Sequence, residues 1–118
     1  MDGRELEERT KIFATKVIQL IATLPKNKAA DVISHQILKS ATSVGANYRE
    51  ATRAESKADF IHKIGVVEKE TNETLYWLEL IKESLLQNES VDYLLKECDE
   101  LLAIFAASGK TAKRNIAD

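Results

Sequence analysis

The sequence predicts an all-α protein, a single domain over residues 1–118 that folds as an antiparallel, up-down-up-down, left-handed four-helix bundle. Helix-forming residues dominate the chain, which contains only four glycines and one proline. Apolar residues recur at steps of three and four along four segments. The breaks between these segments are short, which favours neighbouring helices that run in opposite directions.

The first predicted helix covers about residues 4–23 and ends where Pro25 disfavours helical geometry. The second predicted helix covers about residues 28–53, where the apolar spacing continues. In both helices the apolar steps average about 3.5 residues, which is the period of a left-handed supercoil.

The third predicted helix covers about residues 57–87, and Ser56 is its predicted N-cap because Asp59 follows three residues later. A break then precedes the fourth predicted helix at about residues 90–108. The tail at 109–118 begins with glycine, and we expect it to fray.

Composition argues against several classes of protein. The formal net charge is −2 at pH 7, which argues against a basic coat that binds nucleic acid without specificity. The one cysteine cannot form an internal disulfide, and the start MDGRELEERT is too charged for a secretory signal. No apolar run reaches the ~18 residues of a membrane span. We therefore expect a cytoplasmic protein with no membrane partner.

A ladder of polar residues flanks the apolar stripe of the second predicted helix, and two carboxylates flank the stripe of the third. This polar ladder consists of Gln36, Ser40, Ser43, Asn47, Glu50, Glu70 and Glu73. Burying polar groups without partners is costly, so the ladder must face partners or water.

Three interpretations of the polar ladder are open. In the first, Glu50 or Glu70 accepts hydrogen bonds from Asn47, the serines or a lysine and fixes the helix register. In the second, the ladder lies at subunit contacts or around a central channel. In the third, Glu50 and Glu70 are a catalytic carboxylate pair, which requires that both converge on a substrate.

Four basic residues at the outer side and end of the second predicted helix are candidates for contacts with RNA phosphates. They are Lys39, Arg49, Arg53 and Lys57. Three more cations, Lys110, Lys113 and Arg114, lie in the tail. Because carboxylates interrupt the first group and no RNA-binding signature with aromatic residues is visible, these observations favour a solvated face of mixed charge over phosphate contacts.

No metal, nucleophile or cofactor site is predicted. His35 and His62 fall opposite the apolar stripes, and Cys98 lies within the fourth stripe, where we expect a buried and inert thiol. Gly45 and Gly65 each cost about 0.5–1 kcal/mol relative to alanine inside a helix. Because both lie away from the apolar stripes, we interpret them as places where another backbone approaches, as in an oligomer.

Three segments carry a family resemblance: the LP break at 24–25, QILKSATSVGANYREA at 36–51, and ADFIHKIGVVEKETNETLYWLELI at 58–81. Together they resemble the four-helix bundle family encoded within intervening sequences of bacterial 23S ribosomal RNA genes. The resemblance implies a left-handed up-down-up-down bundle that assembles as a homopentamer, with the polar ladder in the shared core or interface. It also implies interaction with RNA or the ribosome.

The leading functional hypothesis is a nonenzymatic oligomeric adaptor that binds RNA or a ribonucleoprotein. The alternative is a protein-interaction scaffold that makes no contact with nucleic acid, which the net negative charge favours. An enzyme that uses Glu50 and Glu70 is the third hypothesis, but no nucleophile, metal set or phosphate loop accompanies these carboxylates.

Overall fold

Four α-helices make up the chain in the computed structural model, which describes residues 1–117. They are α1 (Gly3–Ile21), α2 (Lys28–Ala51), α3 (Lys57–Ser84) and α4 (Glu89–Ala117). Between residues 1 and 117 the backbone forms no strand. The helices pack into a compact rod with extents of 51 × 21 × 21 Å. The predicted class, all-α with four helices, is therefore confirmed.

A side-chain oxygen caps the start of each helix by accepting a hydrogen bond from a backbone N–H three residues on. The four caps are Asp2, Asn27, Ser56 and Asn88, with distances of 2.8 to 3.1 Å. Each cap satisfies an N–H group that has no partner within the first turn. The predicted N-cap at Ser56 is thus present.

Each helix turns its apolar stripe toward a common core. The largest fully buried side chains include Phe13, Ile37, Ile64, Leu78, Ile81, Leu94, Leu101 and Phe105. The ring of Tyr48 lies against that of Phe105, with the centroids 5.4 Å apart, and closes the core near the start of α1. None of the helices in the described part of the chain combines the length and apolarity needed to cross a membrane.

The fourth helix is longer than predicted. Residues 109–117 continue the helix and residue 118 lies outside the described residues, so the expected fraying of this tail stays a prediction. Gly109 is buried against α3, and a β-carbon placed on it would lie 3.7 Å from Ile64 Cγ2. This packing offsets the cost of about 1 kcal/mol that glycine carries inside a helix. The other helices end two or three residues before the predicted positions.

Candidate functional site

The centre of the polar ladder is a hydrogen bond between α2 and α3. Thr74 Oγ1 donates to Ser40 Oγ at 2.8 Å, and both side chains are fully buried. Ser40 Oγ also lies 3.3 Å from the carbonyl oxygen of Ile37, and Thr74 Oγ1 lies 2.8 Å from that of Glu70. The two hydroxyls therefore satisfy each other and the backbone inside an apolar core.

The other ladder residues of α2 turn back on their own helix or face the surface. Ser43 Oγ donates to the carbonyl oxygen of Lys39 at 2.8 Å, and Asn47 Nδ2 donates to that of Ser43 at 2.8 Å. Both residues are half-buried, as is Gln36, whereas Glu50 is exposed. The ladder thus leads from a buried hydroxyl at Ser40 to an outer flank of α2.

A matching flank runs along α3 and carries the two remaining ladder carboxylates. Glu70 and Glu73 are half-buried, and Glu73 Oε2 accepts a hydrogen bond from Trp77 Nε1 at 3.1 Å. The ring of Tyr76 meets Trp77 edge-on with centroids 5.0 Å apart, and Tyr76 is 53% exposed. We use the term α2–α3 flank for the half-buried residues Gln36, Ser43, Asn47, Val66, Glu70, Glu73 and Trp77.

The first interpretation of the ladder required hydrogen bonds that fix the helix register, and the ladder makes one such cross-helix bond, at Ser40. Among the described residues, neither Glu50 nor Glu70 accepts a side-chain hydrogen bond from Asn47, a serine or a lysine, so this part of the prediction is wrong. The reason is geometric, because Asn47 is one turn from the carbonyl of Ser43 and bonds to it instead. The cross-helix partner of Ser40 is Thr74, which lies on the apolar stripe of α3.

Two observations on residues 1–117 bear on catalytic chemistry. No cluster of three or more histidine, cysteine or acidic side chains is arranged to hold a metal ion in that part of the chain. Cys98 Sγ donates to the carbonyl oxygen of Thr71 at 3.4 Å inside the core. Burial raises the pKa of this thiol to about 12, so it is a poor nucleophile near neutral pH.

The four predicted RNA contacts are not gathered in one place. Arg53 Nη1 lies 2.7 Å from Glu7 Oε1, and Arg49 Nε lies 3.8 Å from the same oxygen, so both guanidinium groups face α1. The hydrogen bond from Arg53 lowers the pKa of the Glu7 carboxyl. Lys39 is exposed, about 15 Å along α2 from Arg49 at 1.5 Å per residue. Lys57, at the start of α3, lines a different cavity from Arg49 and Arg53.

Lys57 lines a cavity of about 360 Å³ where α2 ends, α3 begins and α4 ends. Phe60 and Asn115 line the same cavity, together with small residues of α2 and α4. A second cavity of about 550 Å³ adjoins it, since Phe60, Ala112 and Asn115 line both. We call these two connected cavities the open end of the bundle.

Gly45 and Gly65 differ in what surrounds them. A β-carbon on Gly45 would lie 3.2 Å from Thr10 Oγ1 and 3.7 Å from the backbone carbonyl carbon of Thr10. The backbone that approaches Gly45 therefore belongs to α1 of the same chain, and reading Gly45 as an oligomer contact is wrong. No atom lies within 4 Å of a β-carbon on Gly65, so the interpretation of that position stays a prediction.

Sequence reasoning missed one prominent polar contact. The guanidinium group of Arg9 on α1 binds both carboxylate oxygens of Glu97 on α4 at 2.7 Å, and Glu100 Oε2 at 2.8 Å. This fork pairs two side chains that are mostly buried. Because Arg9 and Glu97 are 88 residues apart, no local pattern could have indicated the pair.

Comparison with known proteins gives a consistent assignment. The model of the 23S rRNA-intervening sequence protein family matches residues 5–107. A crystal structure of a protein with unknown function, from the S23 ribosomal protein family of Bacteroides thetaiotaomicron VPI-5482, superposes with a TM-score of 0.82 at 36% sequence identity. The match covers 93% of this chain and 99% of that one. A search of curated proteins gave no match. Since the family model covers most of the four helices, the chain belongs to the 23S rRNA-intervening sequence protein family.

Proposed function

We propose that the chain is a nonenzymatic, oligomeric adaptor that binds RNA or a ribonucleoprotein. Membership of the 23S rRNA-intervening sequence protein family is the observation that carries this proposal. A crystal structure that matches the chain comes from a family named for a ribosomal protein, which supports the same class of partner.

The α2–α3 flank is the proposed contact between copies of the chain. It mixes half-buried carboxylates and amides with Val66 and Trp77, and Tyr76 is exposed beside it. Aromatic residues surrounded by polar groups are typical of protein interfaces. In a homopentamer, this flank of one copy would pack against a neighbouring copy, and the ladder would lie at the subunit contact.

The proposed bundle is antiparallel, up-down-up-down and left-handed. Glu7, near the start of α1, contacts Arg53, just beyond the end of α2. Lys82, near the end of α3, lies 2.8 Å from Asp92, near the start of α4. Both contacts support helices that alternate in direction, and the spacing of the apolar residues supports the left-handed crossing. A crystal structure of the assembled protein would measure the crossing angles.

The test of assembly and RNA binding is light scattering on a sizing column, with and without cellular RNA. The proposal predicts a pentamer that carries RNA, with an elevated ratio of absorbance at 260 to 280 nm that falls in high salt. A monomer without RNA would contradict it. Alanine at Lys39, Arg49, Arg53 and Lys57 together tests the predicted contacts, and unchanged salt-sensitive binding would exclude these residues.

A pair of substitutions by glutamate tests the interface. Val66→Glu places a charge on the α2–α3 flank and should convert the pentamer to smaller species, because an unpaired charge is costly at a subunit contact. Ile18→Glu is the matched control, since Ile18 is exposed on α1, outside this flank. A pentamer that survives Val66→Glu would exclude the α2–α3 flank as the contact.

A protein-interaction scaffold is the second candidate function. It is supported by the net charge of −2 and by Glu7, whose single carboxylate pairs with Arg53 and lies near Arg49. A pentamer that carries no RNA and retains a protein partner in high salt would favour the scaffold over the adaptor.

A further inference from the structure

Helix α1 is less closely packed than the other helices. Its backbone comes near that of α4 at only a few places in the described chain, whereas α3 lies close to both α2 and α4 at many more. A cavity of about 330 Å³ separates the end of α1 from the start of α4, with Lys16 and Leu20 on one side and Tyr93 and Leu94 on the other. The boundary between α1 and α4 is therefore the most loosely packed of the boundaries between neighbouring helices.

Long polar side chains bridge this boundary near the surface. Arg9 on α1 binds Glu97 at 2.7 Å and Glu100 at 2.8 Å, and the side chain of Glu100 is 53% exposed. Lys16 Nζ lies 4.5 Å from the centroid of the Tyr93 ring, and Tyr93 is 44% exposed. Water can replace contacts of this kind when the two helices move apart, so they oppose separation less than buried contacts do.

The polar contacts that join the other three helices lie inside the core. Thr74 of α3 donates a hydrogen bond to Ser40 of α2 at 2.8 Å, and Cys98 of α4 donates to the carbonyl oxygen of Thr71 on α3 at 3.4 Å. All four residues are fully buried. Helix α3 is thus bonded within the core to both α2 and α4, and these three helices have the contacts of a cooperative unit without α1.

We infer that α1 separates from the bundle as a unit while α2, α3 and α4 stay packed, and that the charged contact of Arg9 with α4 holds it closed. The closed form predominates because α1 buries Phe13, Val17 and other apolar side chains against the core. In the open form α1 also unfolds, since an isolated helix of 19 residues is marginal in water. This motion requires neither RNA nor a second copy of the chain.

The experiment is native-state hydrogen–deuterium exchange of the full chain in low concentrations of denaturant, followed by mass spectrometry of peptides from each helix. The most protected amides of α1 should exchange at least about tenfold faster than those of α3, because they exchange from the open form as well as from the unfolded chain. Equal rates in α1 and α3 would overturn the inference, since the bundle would then open only as a whole.

Two variants separate the opening of α1 from global unfolding. Arg9→Lys weakens the closed form relative to both the open form and the unfolded chain, so exchange should rise about tenfold in α1 and in α3. Thr74→Val removes a bond between α2 and α3 that the open form retains. It should therefore accelerate exchange about fivefold in α3 and leave exchange in α1 unchanged.

Arg114→Lys is the matched control for Arg9→Lys. It makes the same chemical change at an exposed position of α4, about 25 Å along the helix from Glu97 at 1.5 Å per residue, and should leave exchange in α1 unchanged. Circular dichroism confirms that each variant is helical. Unchanged exchange of α1 in Arg9→Lys would overturn the role of the Arg9 contact. Equal acceleration of α1 and α3 in Thr74→Val would overturn the separate opening of α1.

Discussion

Ser40 on α2 and Thr74 on α3 share a hydrogen bond of 2.8 Å in a core that is otherwise largely apolar. Thr74→Val should lower the free energy of unfolding by roughly 1 kcal/mol, because the hydroxyl of Ser40 loses its cross-helix partner. Urea denaturation measures the change.

A double-mutant cycle separates this bond from the side chains themselves. Ser40→Ala combined with Thr74→Val should cost less than the sum of the single changes, because each single change already removes the shared bond. Thr42→Val is the control, since Thr42 is exposed and bonds only within its own helix. Strict additivity would show that the Ser40 and Thr74 hydroxyls are not coupled.

Gly45 and Gly65 should respond to alanine with opposite signs. In Gly45→Ala the new methyl group would lie 3.2 Å from Thr10 Oγ1, which is fixed by carbonyl oxygens of Leu6 and Glu7 at 2.9 Å. We expect this strain to exceed the gain in helix propensity and to lower the melting temperature. Gly65→Ala meets open space and should stabilise the chain by about 0.5–1 kcal/mol.

Thermal unfolding and light scattering together decide the outcome for the two glycines. Thr10→Ala should relieve part of the strain in Gly45→Ala, because it removes the hydroxyl that the new methyl group meets. If Gly65→Ala instead dissociates the oligomer, a second copy packs against α3 at that residue. A stabilised Gly45→Ala variant would contradict the close contact between α1 and α2.

Cys98 should make the protein less stable in alkaline solution. Burial raises the thiol pKa to about 12 in the folded chain, against about 8.5 when unfolded. Between these values the unfolded chain binds fewer protons, so the free energy of unfolding falls as pH rises, by at most about 1.4 kcal/mol per pH unit. Below about pH 8 this contribution is constant.

Chemical denaturation at several pH values measures this effect against Cys98→Ala, which lacks the thiol and should show a shallower decline. Tyr48 contributes a decline of the same sign in both proteins, because burial also raises the pKa of its hydroxyl. Equal slopes would contradict the raised thiol pKa. A thiol reagent should likewise react with the folded chain far more slowly than with the urea-unfolded chain.

Replacing Arg9 with lysine should destabilise the folded protein. Its guanidinium group makes a two-pronged contact with Glu97 and a further one with Glu100, and lysine cannot reproduce that fork. Arg9→Lys should cost roughly 1–2 kcal/mol of unfolding free energy. Arg53→Lys, at an exposed pair with Glu7, should cost no more than about 0.5 kcal/mol. Similar losses at both positions would show that the fork contributes nothing.

Local patterns account for the features that the sequence predicted well. The apolar spacing around Phe13 and Val17 indicates the buried face of α1, and Ser56 is recognisable because Asp59 follows at capping distance. The end of α4 was not predictable in this way. Gly109 resembles a stop signal in the sequence, but in the folded chain it is buried against Ile64 of α3 and the helix continues through it.

The candidate site was less predictable, because its geometry depends on contacts between helices. The polar ladder was visible as a pattern, but Thr74 could not be chosen as the partner of Ser40 without the relative position of α2 and α3. The pairing of Arg53 with Glu7 likewise could not be predicted, because the two residues are 46 positions apart in the sequence. The cavities of the open end are lined by Ala112 and Asn115 of α4, which lie beyond the predicted end of this helix at residue 108.

The sequence separation of 88 between Arg9 and Glu97 also bears on the order in which the protein folds. The contacts of α2 with α1 and with α3, and those of α3 with α4, join helices that follow one another along the chain, so short loops close them at low entropic cost. The contact between α1 and α4 requires closure of nearly the whole chain. Folding should therefore finish with α1 docking onto α4, and Arg9→Lys should accelerate unfolding while leaving the refolding rate almost unchanged.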